Sequence, residues 1–174
     1  MDAFENGDLR LDVAILDIDA WALETGATFA VGNKHTGYYN RKYIPRQGDA
    51  DTGDKNLTNP NNYRAIRFAD VLLMAAEAHI NSPTGNQALA ETYLNRVRNR
   101  AGLENWNQTG SLLNAIYQER RVELVGEGHH FFDLVRTNRA VNDIAGFESP
   151  KNNFFPIPSE EIQFSNNNWI NNNY

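Results

Sequence analysis

A chain of 174 residues and 19.7 kDa is long enough to bury a sizeable core without disulfide or metal staples. Lysine and arginine number 16 against 22 aspartates and glutamates, a formal net charge of -6, which argues against nucleic acid as a partner. Cysteine is absent, which excludes a disulfide framework, a thiolate metal site and a cysteine nucleophile, and no window approaches the roughly 18 apolar residues of a membrane span. Hydrophobic residues make up 41% and mean hydropathy is -0.60, the difference being filled largely by asparagine runs such as NPNN at 59–62 and NNNW at 166–169. Asparagine bonds readily to nearby backbone, so long irregular loops are expected.

Three segments of one structural unit are read along the chain: 1–62, 63–145 and 146–174. The opening MDAFENGDLR has no basic region followed by an apolar run and so gives no targeting address. In LRLDVAI, Leu9, Leu11, Val13 and Ile15 alternate with Arg10, Asp12 and Ala14, the period of a half-buried strand. A second extended piece is expected over Tyr38–Ile44, with Pro45 ending it; together these predict short hairpins, not a full sheet.

The middle segment predicts helices. Ile66, Val71, Leu72, Ala75 and Ile80 share a face before Ser82, Pro83 and Gly85 stop the first helix. Ala88, Leu89, Leu94, Val97 and Ala101 form the face of a second, from Asn86 to Gly102. The short turn predicts an antiparallel pair resembling one tetratricopeptide unit, which needs neighbours to cover both of its faces. A long third helix is capped by Thr109 or Ser111 and buries Leu113, Ile116, Tyr117 and Leu124. Gly126 and Gly128 weaken or bend it before HHFFDLVR resumes. The last segment holds NNFFPIPSEEIQF, with one helical turn capped by Ser159. The fold class is therefore mainly α with irregular loops and short β-hairpins.

The densest chemistry lies between Glu119 and Arg136. Arg120, Glu123 and Glu127 stand three and four residues apart on one helical face, and Asp133 and Arg136 repeat the spacing. Two readings compete: a carboxylate pair with His130 for acid-base or metal work, and a partly buried structural charge ladder. The glycines that separate His129 and His130 from the carboxylates favour the ladder, so no catalytic residue, metal or cofactor is assigned. His35 and His79 stand alone and read as packing or surface residues. Asp49, Asp51 and Asp54 alternate as in calcium loops, but the twelfth position is Pro60 where a bidentate Glu is required, so a solvated turn is expected. Trp21, Tyr38, Tyr39, Trp106 and Trp169 are placed in loops or strand ends, where a ring can stack on a sugar; Trp21, Tyr38 and Tyr39 are the ligand-binding candidates.

Several segments together resemble one family. YRAIRFADVLLMAAEA (63–78), LNRVRNRAGL (94–103), IYQERRVELVGEGHHFFDLVR (116–136) and FFPIPSEEI (154–162) resemble, in order, the C-terminal part of SusD/RagB-type proteins; GDLRL near the start and KYIP are similar to further segments. Those are surface lipoproteins of the Bacteroidetes outer membrane. The resemblance implies a non-catalytic protein on the extracellular face that captures oligosaccharides or other nutrients for a TonB-dependent transporter. It implies membrane attachment only through a lipid anchor absent from this chain, and it makes the charge ladder a structural element. His130 stands where the family often has Arg, and Gly126 where it often has an aromatic. A helical scaffold that only docks the transporter is the first alternative. A glycan-processing enzyme built on Glu123 and Glu127 is weaker, because two carboxylates four apart on one helix cannot flank a scissile bond.

Overall fold

A computed structural model describes residues 2–44, 53 and 61–171. Asp49, Asp51 and Asp54, whose spacing is like that of a calcium loop, lie outside the described residues. Eight α-helices and a two-stranded sheet are present among the described residues, in two compact units, 1–127 and 128–174. That division falls between Gly126 and Gly128, both at positive φ (74° and 85°), a conformation that glycine adopts without Cβ strain. It coincides with neither of the boundaries expected at 62 and 145.

The first unit begins with α1 (Leu11–Ala14), β1 (Ile15–Asp17) and α2 (Ile18–Thr25). The strand expected over LRLDVAI is thus mostly a helical turn, and only its end is extended. Ala14 and Ile18 are buried while Leu9 and Val13 are 67% and 63% exposed, so the core selects a spacing of four and overrides the alternation. β2 (Tyr38–Asn40) pairs with β1 antiparallel, Ile15 opposite Asn40 and Asp17 opposite Tyr38, and a 3-10 turn over Arg41–Tyr43 replaces the rest of the expected strand. Asn40 caps that turn by accepting from the Lys42 N–H at 3.1 Å and donates its own amide to the Gly126 carbonyl at 2.8 Å. A Cβ on Gly126 would come within 2.5 Å of the Asn40 amide, so an aromatic there would displace this contact.

The helical part is α3 (Phe68–Asn81), α4 (Gln87–Arg100) and α5 (Leu112–Glu123). The Asn86 N–H at the start of α4 bonds His79 Nδ1 near the end of α3, and Arg96 lies over the Phe68 ring at the start of α3, so the two helices run antiparallel. α5 packs on both. Leu73, Ala76, Ala90, Leu94 and Ile116 are fully buried at the centre. The buried face of α3 is Ala69, Leu72, Leu73 and Ala76, and the expected Ile66 and Val71 are exposed. Ile66 precedes the helix, which starts only after Arg67, and this moves the face. Ser111 caps α5, accepting from the Asn114 N–H at 3.4 Å.

The second unit holds α6 (His129–Arg136), α7 (Ala140–Asp143) and α8 (Ser159–Phe164). Phe131 packs on Phe132, Phe147 and Phe155 with ring centroids 5.6–6.3 Å apart. Ser159 is the first helical residue of α8 and Pro158 precedes it as the cap, without a side-chain cap bond.

The α3–α4 turn is tight enough to test. A Cβ on Gly85 would collide with the His79 carbonyl, which belongs to backbone and cannot swing aside. Gly85→Ala is expected to cost about 1–3 kcal/mol in urea unfolding, whereas Thr84→Ala, on the exposed side of the same turn, should stay within about 0.5 kcal/mol.

Candidate functional site

The last two turns of α5 and the residues after it carry three carboxylates into the interior of the first unit: Glu119, Glu123 and Glu127, each no more than 4% exposed at the side chain. Helical spacing sets Glu119 and Glu123 on one face of α5, whereas Glu127, expected on the same helical face, lies in the turn after the helix and is joined to Glu123 through Arg67; the partners come from elsewhere in the chain. Arg10, from the loop before α1, donates Nη1 to Glu119 at 2.5 Å and to Glu123 at 3.1 Å, while its Nε and Nη2 are held by Asp8 at 2.8 and 2.6 Å. Arg67, the residue before α3, bonds Glu123 through Nη1 and Glu127 through Nε and Nη2 at 2.8 Å. Arg100, at the end of α4, donates Nη2 to Glu123 at 2.5 Å. Lys42 Nζ reaches Glu127 at 2.5 Å and the Glu123 carbonyl at 2.8 Å. Arg98 bridges Glu119 and the exposed Glu5.

Arg120, three residues before Glu123 on α5, donates Nη1 to Asp70 of α3 at 2.7 Å. Asp133 and Arg136 belong to the second unit, where Arg136 reaches Asp133 Oδ1 at 2.8 Å through both Nε and Nη2. Arg120 and the pair of Asp133 and Arg136 thus have partners besides the Glu119, Glu123 and Glu127 cluster. Asp8, Arg10, Lys42, Arg67, Arg98, Arg100 and Glu119 were not singled out from sequence. Their signal was present in the charged residues of GDLRL, KYIP, RFAD and RVRNR, but nothing in the spacing said that those runs converge.

Electrostatics follow from burial against pairing. Burial raises the Glu123 carboxyl, but hydrogen bonds from Arg67 and Arg100 outweigh it and hold the pKa at about 2. Glu127 is likewise lowered, burial being overcome by Arg67 and Lys42. Burial pushes Glu119 the other way, upward, against the pull of Arg10. Glu123 and Glu127 thus stay ionised at neutral pH, with their oxygens occupied by donors. A glycosidase acid needs the opposite, a carboxyl kept protonated.

Beside this cluster is an open cavity of about 390 Å3, whose lining includes Leu9, Val13, Lys42, Arg64, Arg67 and Arg100. The ligand candidates from sequence lie elsewhere in the same unit. Trp21 is in the helix α2, not a loop, and is 38% exposed; Tyr38 and Tyr39 are in β2 and are 42% and 43% exposed. Adjacent strand residues face opposite sides of the sheet, so Tyr38 and Tyr39 cannot share one ligand face. The Tyr39 hydroxyl is 3.5 Å from His35 Nδ1, and the His35 ring stacks obliquely between Tyr39 and Phe29. Trp106 packs against the helical core, whereas Trp169 is exposed.

Linkage gives the sign of the pH effect. The folded-state pKa of Glu123 lies below the unfolded value, so its contribution is present above about pH 4.5 and is lost as pH falls toward about 2. The contribution is about 3 kcal/mol. Glu123→Gln should cost about 3–5 kcal/mol at pH 7 and flatten the acid limb of a urea-midpoint profile; an unchanged acid limb would contradict the pairing.

Comparison with known proteins places this arrangement. The SusD family model matches residues 18–174. SusD-like protein P25 of Formosa agariphila is 33% identical over 144 residues, 71% of this chain and 26% of the relative. SusD-like protein P2 of the same organism is 29% identical over 139 residues, covering 69% of this chain and 27% of that protein. The chain spans about a quarter of the length of these curated relatives. Among solved structures, a laminarin binding SusD-like protein is 41% identical with a TM-score of 0.77, over 90% of this chain and 33% of its own. Surface glycan-binding protein A from Bacteroides thetaiotaomicron, in complex with laminarihexaose, is 30% identical with a TM-score of 0.82, over 99% of this chain and 40% of its own. By the extent of the family match and the shared mainly helical fold, the chain belongs to the SusD family.

Proposed function

We propose that the protein captures oligosaccharides at the extracellular face of the outer membrane, without catalysis, and passes them to a TonB-dependent transporter for import. The single observation that carries this reading is the 41% identity, over 90% of the chain, to a protein described as laminarin binding. The occupied, ionised state of Glu123 and Glu127 supports the non-catalytic part. A network with every carboxylate held by guanidinium or ammonium groups suits a rigid frame that presents a surface. Trp21 and Tyr38 are the rings this reading assigns to a sugar. Tyr39 is the less suited of the three because its hydroxyl and ring are engaged by His35.

Calorimetry and affinity electrophoresis on the full natural protein, against a panel of purified glycans that includes laminarin, test the proposal. At least one glycan is expected to bind without being cleaved, and Trp21→Ala or Tyr38→Ala should weaken that binding about three- to tenfold. If no glycan binds while the transporter still co-purifies, the protein is a docking scaffold and the capture reading falls.

A further inference from the structure

The cavity beside the charged cluster has one cation that the cluster does not use. Arg10, Lys42, Arg67 and Arg100 are each held by at least one carboxylate, whereas Arg64 is exposed and has no hydrogen-bond or ion-pair partner among the described residues. Arg100 is nearby in the same lining; Nη2 is committed to Glu123, its other donors have no acceptor, and the side chain is 56% exposed. The lining carries five cations, Arg10, Lys42, Arg64, Arg67 and Arg100, against two carboxylates, Glu123 and Glu127, which leaves a local positive field at a concave site. Leu9 and Val13, both largely exposed, add apolar surface to the same cavity. A volume of about 390 Å3 falls at the small end of ligand sites, which run from roughly 300 to 1,000 Å3.

We infer that this cavity takes an acidic sugar unit, a uronate or a sulfated residue, with its anionic group on Arg64 and the free edge of Arg100 and its ring face against Leu9 and Val13. The inference rests on the glycan-capture reading and narrows its substrate class. A guanidinium presents parallel N–H donors that match the two oxygens of a carboxylate or a sulfate ester, a fit that a neutral hydroxyl does not offer. A small inorganic anion would leave the apolar part of the lining unused; a sugar ring covers it. The cations that build the frame need not release their carboxylates for this to happen, because Arg64 and the outer N–H groups of Arg100 are unengaged.

The test is calorimetry on the full natural protein with three oligosaccharides of similar length: neutral laminarihexaose, an oligogalacturonate and a sulfated galacto-oligosaccharide. At least one acidic ligand is expected to bind about tenfold or more tighter than the neutral one at low salt, and the preference should shrink as salt rises. Which acidic ligand wins tells carboxylate from sulfate. Arg64→Gln should lose about tenfold on the acidic ligand only, and Arg64→Lys should keep part of it, since Lys retains charge but not the fork. If the neutral ligand binds as well as the acidic ones, or Arg64→Gln leaves acidic binding intact, the acidic-sugar inference is overturned while glycan capture stands. If no glycan binds, both fall.

Discussion

The architecture of the first unit depends on where the Glu123 carboxylate ends. It is buried, and a buried carboxylate without partners would cost several kcal/mol. Arg10, Arg67 and Arg100 meet it, and they come from the loop before α1, the residue before α3 and the last residue of α4. Glu127 adds Lys42 from the turn after β2. The end of α5 and the turn after it therefore tie together the N-terminal loop, the turn after β2 and the open end of the helical pair. The aliphatic core at Leu73, Leu94 and Ile116 holds α3, α4 and α5 together, with Trp106 from the loop before α5 packed against it. The charges add ties to the N-terminal loop and to the turn after β2.

This division explains what could be read from the sequence. The three long helices, the Ser111 cap and the break at Gly126 and Gly128 are local, set by periodicity, capping chemistry and backbone freedom, and they were legible. LRLDVAI was not, because its alternation and its helical spacing are both present and the burial of Ala14 and Ile18 decides between them. The apolar face of α3 was misplaced for a similar reason: Ile66 is a large hydrophobe that lies before the helix starts. Glu123 and Glu127 were visible as a spacing of four, while Glu119 was not singled out. Their partners at positions 10, 42, 67 and 100 were not visible, since 23 to 113 residues separate Glu123 from the arginines that bind it. Ion pairs between neighbours on one helix can be read from a sequence; pairs between elements need the fold first.

Frame and proposed binding surface meet at the cavity, where Arg100 belongs to both. The frame consumes nearly all of the charge that lies near α5, which is why Glu123 and Glu127 make a poor catalytic pair despite their spacing. The groups proposed for a ligand are ones the frame leaves unengaged: Trp21 and Tyr38, which are partly exposed, and Arg64 beside the cavity. A family that keeps its frame and varies such outlying groups can present different surfaces on one architecture.

The coupling between Glu123 and Arg67 is the most direct measure of whether the buried charges organise the unit. A double-mutant cycle with Glu123→Gln and Arg67→Gln, read by urea unfolding at pH 7, isolates it. A coupling of about 1–3 kcal/mol is predicted, well above the roughly 0.2–1 kcal/mol of exposed pairs. A value near zero would mean that the convergence on Glu123 contributes nothing beyond the core, and would contradict the account.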